Sequence, residues 1–221
     1  MLCGISRRIL TQVKLHDLPS LRKALRILHE DYRVPNVVVS SIPLKLWLFD
    51  ALPEVIRPGD MEHLLCVASS CSSGDSPSVV HARCVPLIRG YFSGVGDMFS
   101  ALLLGHFKAN HASSSSDHPA SSSLPNGLSA TLHDPTTPVS IAASYALATT
   151  HHILRLTNEY ALTLPEEDRQ PTDDEKDAKE PLRVVRRMRG RELRIVQNQD
   201  VLRGVGLHVT RMGLWDDFWE E

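Results

Sequence analysis

Several things are scarce in these 221 residues, and each scarcity excludes a class of protein. No apolar run approaches the roughly 20 residues that a membrane-spanning helix needs. Lys and Arg number 24 against 26 Asp and Glu, a formal charge of −2, so there is no basic surplus to suggest nucleic acid or an acidic membrane as partner. Cysteine occurs four times, at 3, 66, 71 and 84, at spacings that match no zinc pattern. The eleven histidines are scattered without ligand spacing. The adjacent pair His151 and His152 would point about 100° apart on a helix and so could not share a metal. The start, MLCGISRRILTQVKLHD, is too polar for a secretory signal, and a reduced, cytoplasmic setting is expected.

Against these absences, 42% of the residues are hydrophobic, enough for one substantial core. Leu18 to Tyr32 places Leu21, Leu25 and Leu28 on one helical face behind a capping Asp17. Val34 to Ser41 carries the β-branched run Val37-Val38-Val39 and reads as a buried parallel strand ending in two hydroxyls. Residues 42–60 read as irregular. Leu64 to Ser69 and Val79 to Leu87 read as strands joined by a hairpin-like turn at Cys71 to Ser78. Pro138 to Thr157 predicts a long helix with small residues on one side. This alternation predicts an α/β layered sheet.

The division expected is a core over 10–110, a serine-rich low-complexity loop over 111–133, a packing helix over 134–163, a charged linker over 164–181, a segment with a last strand (ELRIVQ) over 182–203, and a tail over 204–221. The arginines between 183 and 191 read as a solvated face. The tail, with Trp215 and Trp219 four residues apart, reads as outside the core.

The most informative stretch is GYFSGVGDMFSALLLGHF, residues 90–107. A Gly-Val-Gly turn leads directly into Asp97 and an apolar helix. The first N–H groups of a helix lack intrahelical partners and lie at the positive end of its dipole, so they attract anions. A carboxylate beside them can take a proton from a hydroxyl. Anion cradle plus base is what phosphoryl transfer to an alcohol requires. Ser40 and Ser41, at the end of a buried strand, are candidates for phosphate contact.

This stretch resembles the GTGD signature of the ribokinase-like superfamily. VPNVVVSSIPL, LHDPTTPVSIAASYALATTHHILRLT and RELRIVQ are similar to the corresponding parts of pyridoxal kinases, fungal ones especially. The resemblance runs in order from Leu10 to Gln199. It implies a ribokinase-like sheet with helices on both faces, and ATP-dependent phosphorylation of the 5′-hydroxyl of pyridoxal, pyridoxine or pyridoxamine in vitamin B6 salvage. It further implies Asp97 as catalytic base and as a contact to the substrate, and Gly94, Val95 and Gly96 as the anion hole. Ser40, Ser41, Ile88, Arg89, Gly90 and Val95 would border ATP, with Mg²⁺ as cofactor, K⁺ as helper and Ser40 as a monovalent-cation contact. A homodimer is expected, with small-molecule substrates and neither nucleic acid nor membrane as partner.

Two departures qualify the resemblance. Val95 stands where the family has threonine, which removes a hydroxyl but keeps the N–H. MLCGISRRI stands where the family's acidic segment precedes this region, so the sequence is expected to lack the N-terminal part of the fold, with the carboxylate and asparagine that organise Mg²⁺ and much of the substrate pocket. An inactive fragment of the family, or another ribokinase-like kinase acting on hydroxymethylpyrimidine, are the alternatives.

Overall fold

The computed structural model describes residues 11–71, 77–108, 136–169 and 174–220. The serine-rich stretch and the N-terminal decapeptide lie outside them. Helix α1 (Leu18–Arg26) starts at the expected cap: the Asp17 carboxylate accepts from the Ser20 N–H at 2.8 Å, and the Ser20 hydroxyl accepts from the Asp17 N–H. A π-helical turn, Ile27–Asp31, finishes it. Then come β1 (Asn36–Pro43), α2 (Leu46–Ala51), β2 (His63–Ser70), β3 (Val79–Pro86), α3 (Val95–His106) and the long α4 (Pro138–Thr163). Short helices α5 (Glu166–Arg169), α6 (Asp174–Lys179) and α7 (Pro181–Arg189) precede a 3₁₀ turn (Val196–Asn198), α8 (Gln199–Leu202) and β4 (Gly213–Leu214).

The four strands form one sheet in the order β1-β2-β3-β4, every pair antiparallel. Three strands lie where the sequence places them, yet β1 is not parallel to its neighbour. Its unbroken valine run arises because both faces of the sheet are covered, and that requirement holds for an antiparallel strand as well. The Val39/Val67 and Ile42/Leu65 pairings leave one extra residue on β1, a β-bulge at Ser40–Ser41. Ser41 takes the left-handed conformation there, φ 58°.

Alternation along the strands separates two faces. Val37, Val39, Leu65, Val67, Val80 and Ala82 point to one, where Leu21 and Leu25 of α1 and Leu48 of α2 cover them. Val38, Cys66 and Ala68 point to the other, under Phe99 of α3 and the small side of α4, Ala143 and Ala146. The expected helices on both faces are present. The region 42–60 is less irregular than expected, because Leu48 of α2 is fully buried in the first core.

The chain after 182 departs most from expectation. Trp215 is 2% exposed and Phe218 is fully buried, both in the first core. The Trp215 N–H donates to the Val80 carbonyl at 2.8 Å, and Arg22 Nε donates to the Phe218 carbonyl. β4 also lies so close to the loop after α2 that a Cβ on Gly213 would come within 2.9 Å of Ile56. The acidic residues of WDDFWEE mask an amphipathic spacing: Trp215 and Phe218 face inward, Asp216 and Asp217 outward. ELRIVQ is not a strand. Glu192 makes an isolated parallel bridge to Ser93, and the chain then turns into 3₁₀ geometry. Nor are the arginines all a solvated face: on α7, Arg183 and Arg187 turn inward while Arg189 stays exposed.

Candidate active site

Gly94, in the left-handed conformation (φ 81°, ψ 2°), is the N-cap of α3. That backbone suits glycine and spares no side chain to cap the helix. The first intrahelical bond runs from the Met98 N–H to the Gly94 carbonyl at 3.0 Å. The N–H groups of Val95, Gly96 and Asp97 therefore come before the helical ladder begins, and they find no acceptor among the described residues. Asp97 is not the cap but the third helical residue, with its side chain exposed. A strap holds the turn from behind: the Ser93 N–H donates to the Arg191 carbonyl at 2.8 Å, beside the Ser93–Glu192 bridge. ELRIVQ, expected as a strand, thus acts as the brace of the glycine turn.

A pocket opens between the sheet, the start of α3 and the middle of α4. Ser40, Ser41, Ile88 and Val95 line it, four residues singled out from three separate stretches of sequence. The bulge explains the first two, since an extra residue re-aims neighbouring side chains. Ser40 is 3% exposed and its hydroxyl is buried without a partner among the described residues. Arg89 and Gly90 do not line this pocket. They face a second one, where Arg89 pairs with Glu62.

Sequence reasoning missed the α4 wall. Thr150, His151 and Leu154 line the pocket, and both Thr150 Oγ1 and His151 Nε2 are buried without a hydrogen-bond partner among the described residues. Burial, and secondarily the cations Arg83 and Arg155, hold the His151 imidazole below its ordinary pKa, against a raising hydrogen bond to the Pro86 backbone. Its neutral ring presents Nε2 as a hydrogen-bonding group. The doublet His151-His152 is visible in the sequence, but its spacing speaks only against a shared metal and not for a pocket wall. Among the described residues no three His, Cys, Asp or Glu side chains gather to hold a metal ion. None of their helices is long and apolar enough to cross a membrane.

No protein-family model matches the chain. A Saccharomyces cerevisiae protein named “putative pyridoxal kinase” is 42% identical over 84 residues, 38% of this chain and 21% of that protein. A Schizosaccharomyces pombe protein of the same name is 24% identical over 197 residues, 88% of this chain and 48% of that protein. Among solved structures, the pyridoxal kinase of Leishmania donovani in complex with ADP superposes with a TM-score of 0.52 at 19% identity, over 96% of this chain and 48% of that one. The chain has the fold of these kinases along nearly its whole length. It spans less than half the length of the curated relatives it matches.

Proposed function

We propose that this chain carries the nucleotide-binding, base-bearing part of a pyridoxal kinase, which transfers the γ-phosphoryl group of ATP to the 5′-hydroxyl of pyridoxal, pyridoxine or pyridoxamine. The similarity to proteins of that name supports it, as do neighbours solved with ADP and with ADP and pyridoxamine. The observation that carries it is the convergence of Ser40, Ser41, Ile88 and Val95 on one pocket beside the start of α3, where three N–H groups are unspent.

In this reading the N–H groups of Val95, Gly96 and Asp97 receive the oxygens on which charge gathers as the phosphoryl group moves. The Asp97 carboxylate takes the proton of the attacking hydroxyl. The new P–O bond forms to the vitamer as the bond to the departing ADP breaks. Gly94 positions the turn, and Ser40 spends its hydroxyl on a phosphate oxygen or a monovalent cation. Val95 fills the threonine position with backbone N–H alone. Mg²⁺, arriving with the nucleotide, would supply charge that offsets the phosphate oxygens; among the described residues no three His, Cys, Asp or Glu side chains gather to enclose it. We place the reaction in the cytoplasm and assign the chain to a homodimer.

Purified protein with ATP, Mg²⁺ and pyridoxal tests the assignment. Asp97→Asn should lower turnover by about 10²–10⁴-fold while ADP still binds. Turnover unchanged by that substitution would overturn the base assignment. A second reading is a nucleotide-binding chain without turnover of its own. ADP binding without product would select it. Competition between hydroxymethylpyrimidine and the B6 vitamers separates the third possibility.

A further inference from the structure

Helix α7 inverts the usual order of a surface helix. It leaves Leu182, Val184 and Val185 exposed and buries Arg183 and Arg187 to 6% and 3% exposure. Both guanidinium groups reach the same carboxylate: Arg183 Nη1 donates to Asp177 Oδ1 at 2.7 Å, and Arg187 Nη2 donates to Asp177 Oδ2. One negative charge therefore serves two buried positive ones. Removing an ion from water costs several kcal/mol unless opposite charge and hydrogen bonds offset it. The remaining donors of Arg187 sharpen the imbalance, because its Nε and Nη1 are buried with no partner among the described residues.

Arg187 also lines a pocket, the second one mentioned above, between the 89–92 loop, the C-terminal part of α4 and α7. Arg89, Arg169 and Arg191 share its wall with Tyr91 and Asn158. The carboxylate present there, Asp168, already accepts from Arg186 Nε at 3.2 Å, and Arg89 is matched by Glu62. What is left in the pocket wall is a buried cation with unspent donors, beside further arginines. Guanidinium is weakly hydrated and suited to phosphate, and hydrogen bonds between ionised partners are about twice as strong as neutral ones.

We propose that this pocket binds a phosphate-class oxyanion, either free or as the phosphomonoester of a small molecule, with Arg187 as its buried anchor and Arg169 as its exposed partner. The site is separate from the nucleotide pocket and stands whether or not the chain transfers phosphate. It lies behind the glycine turn, since Arg191 on its wall is the residue whose carbonyl holds Ser93.

Thermal melting of the full chain during titration with inorganic phosphate, at constant ionic strength against chloride, tests the site. The expected result is a saturable rise in Tm. Arg169→Ala, at an exposed position that should fold normally, should shift the midpoint up by about tenfold or more. Arg187→Met should abolish saturation. It should also melt no lower than the parent in phosphate-free buffer, because it removes the cation in excess and leaves Asp177 paired one-to-one with Arg183. Phenyl phosphate in a parallel titration separates the sources: a lower midpoint than phosphate indicates a ring against Tyr91, an equal one a bare phosphate group. No saturable rise, or the same midpoint in both variants as in the parent, would overturn the proposal, the latter by placing phosphate at the α3 turn.

Discussion

The two faces of the sheet are built from the same strands and do opposite things. On the first, α1, α2 and the C-terminal Trp215 and Phe218 close over a continuous apolar surface. Its polar side chains are mostly spoken for: His29 links the Val34 carbonyl through Nδ1 at 2.6 Å and the Ser69 hydroxyl through Nε2 at 2.7 Å, and Ser69 reaches Ser78, while the Trp47 indole N–H is the exception among the described residues. On the second face Ser40 Oγ, Thr150 Oγ1 and His151 Nε2 are buried with no partner among the described residues. Buried polar groups are nearly always satisfied in folded proteins, so a group of exceptions around one pocket calls for an explanation. The first face holds the molecule together; the second retains binding capacity at a cost in stability.

The strongest way to break this contrast is on the packing face. Phe218→Ala should destabilise the fold by about 3–5 kcal/mol in denaturant unfolding, as core aromatics do. A loss near 0.5 kcal/mol, typical of surface positions, would return the tail to the periphery. On the other face, Ser40→Ala should have split effects. An unsatisfied buried hydroxyl costs about 1–3 kcal/mol, so its removal should leave stability unchanged or raise it by about 1 kcal/mol, while ADP affinity falls about fivefold to tenfold. Lower stability with unchanged affinity would make Ser40 a packing residue.

The smallest effect should be in the pH dependence. Burial holds His29 and His151 below the ordinary value of 6.5. For His29 the opposing influences are its backbone bond to Val34 and the nearby Glu30; for His151 the main helpers are the two cations beside it. The unfolded chain then binds these protons more readily than the folded one. Stability should be full above pH 6.5 and decline as pH falls through the lowered values. His29→Gln should flatten part of that decline in Tm measured from pH 7.5 to 5; an unaltered profile would show that His29 contributes nothing to it.

Legibility in the sequence followed the same division. Local signals were sufficient for the longer elements: Asp17 before the Leu21/Leu25 stripe, the glycine turn before α3, and Pro138 at the start of α4 all lie where local chemistry demands them. What failed depends on distant partners. A valine run buried on both sides cannot state whether its neighbour is parallel. WDDFWEE looks solvated until Arg22 and the face of β3 are there to receive it. Arg183 and Arg187 look exposed until Asp177 is folded back upon them. Of the residues lining the pocket, Ser40 and Ser41 are singled out by the strand end beside the glycine turn and Val95 by the turn itself, whereas Ile88 is singled out only by the family resemblance. Thr150 and His151 were not readable as pocket wall, since a helix of small residues advertises packing and gives no sign of which hydroxyl will be left without a partner.

The central claim is that the start of α3 and the β1 bulge together receive nucleotide phosphates. Backbone amide NMR of the isotopically labelled chain, titrated with ADP, tests it most directly. The account predicts saturable shifts concentrated in the amides of Gly94, Val95, Gly96 and Asp97, with Ser40 and Ser41 moving at the same midpoint. ADP that leaves these amides unmoved, or moves only those around Arg89 and Arg187, would contradict it.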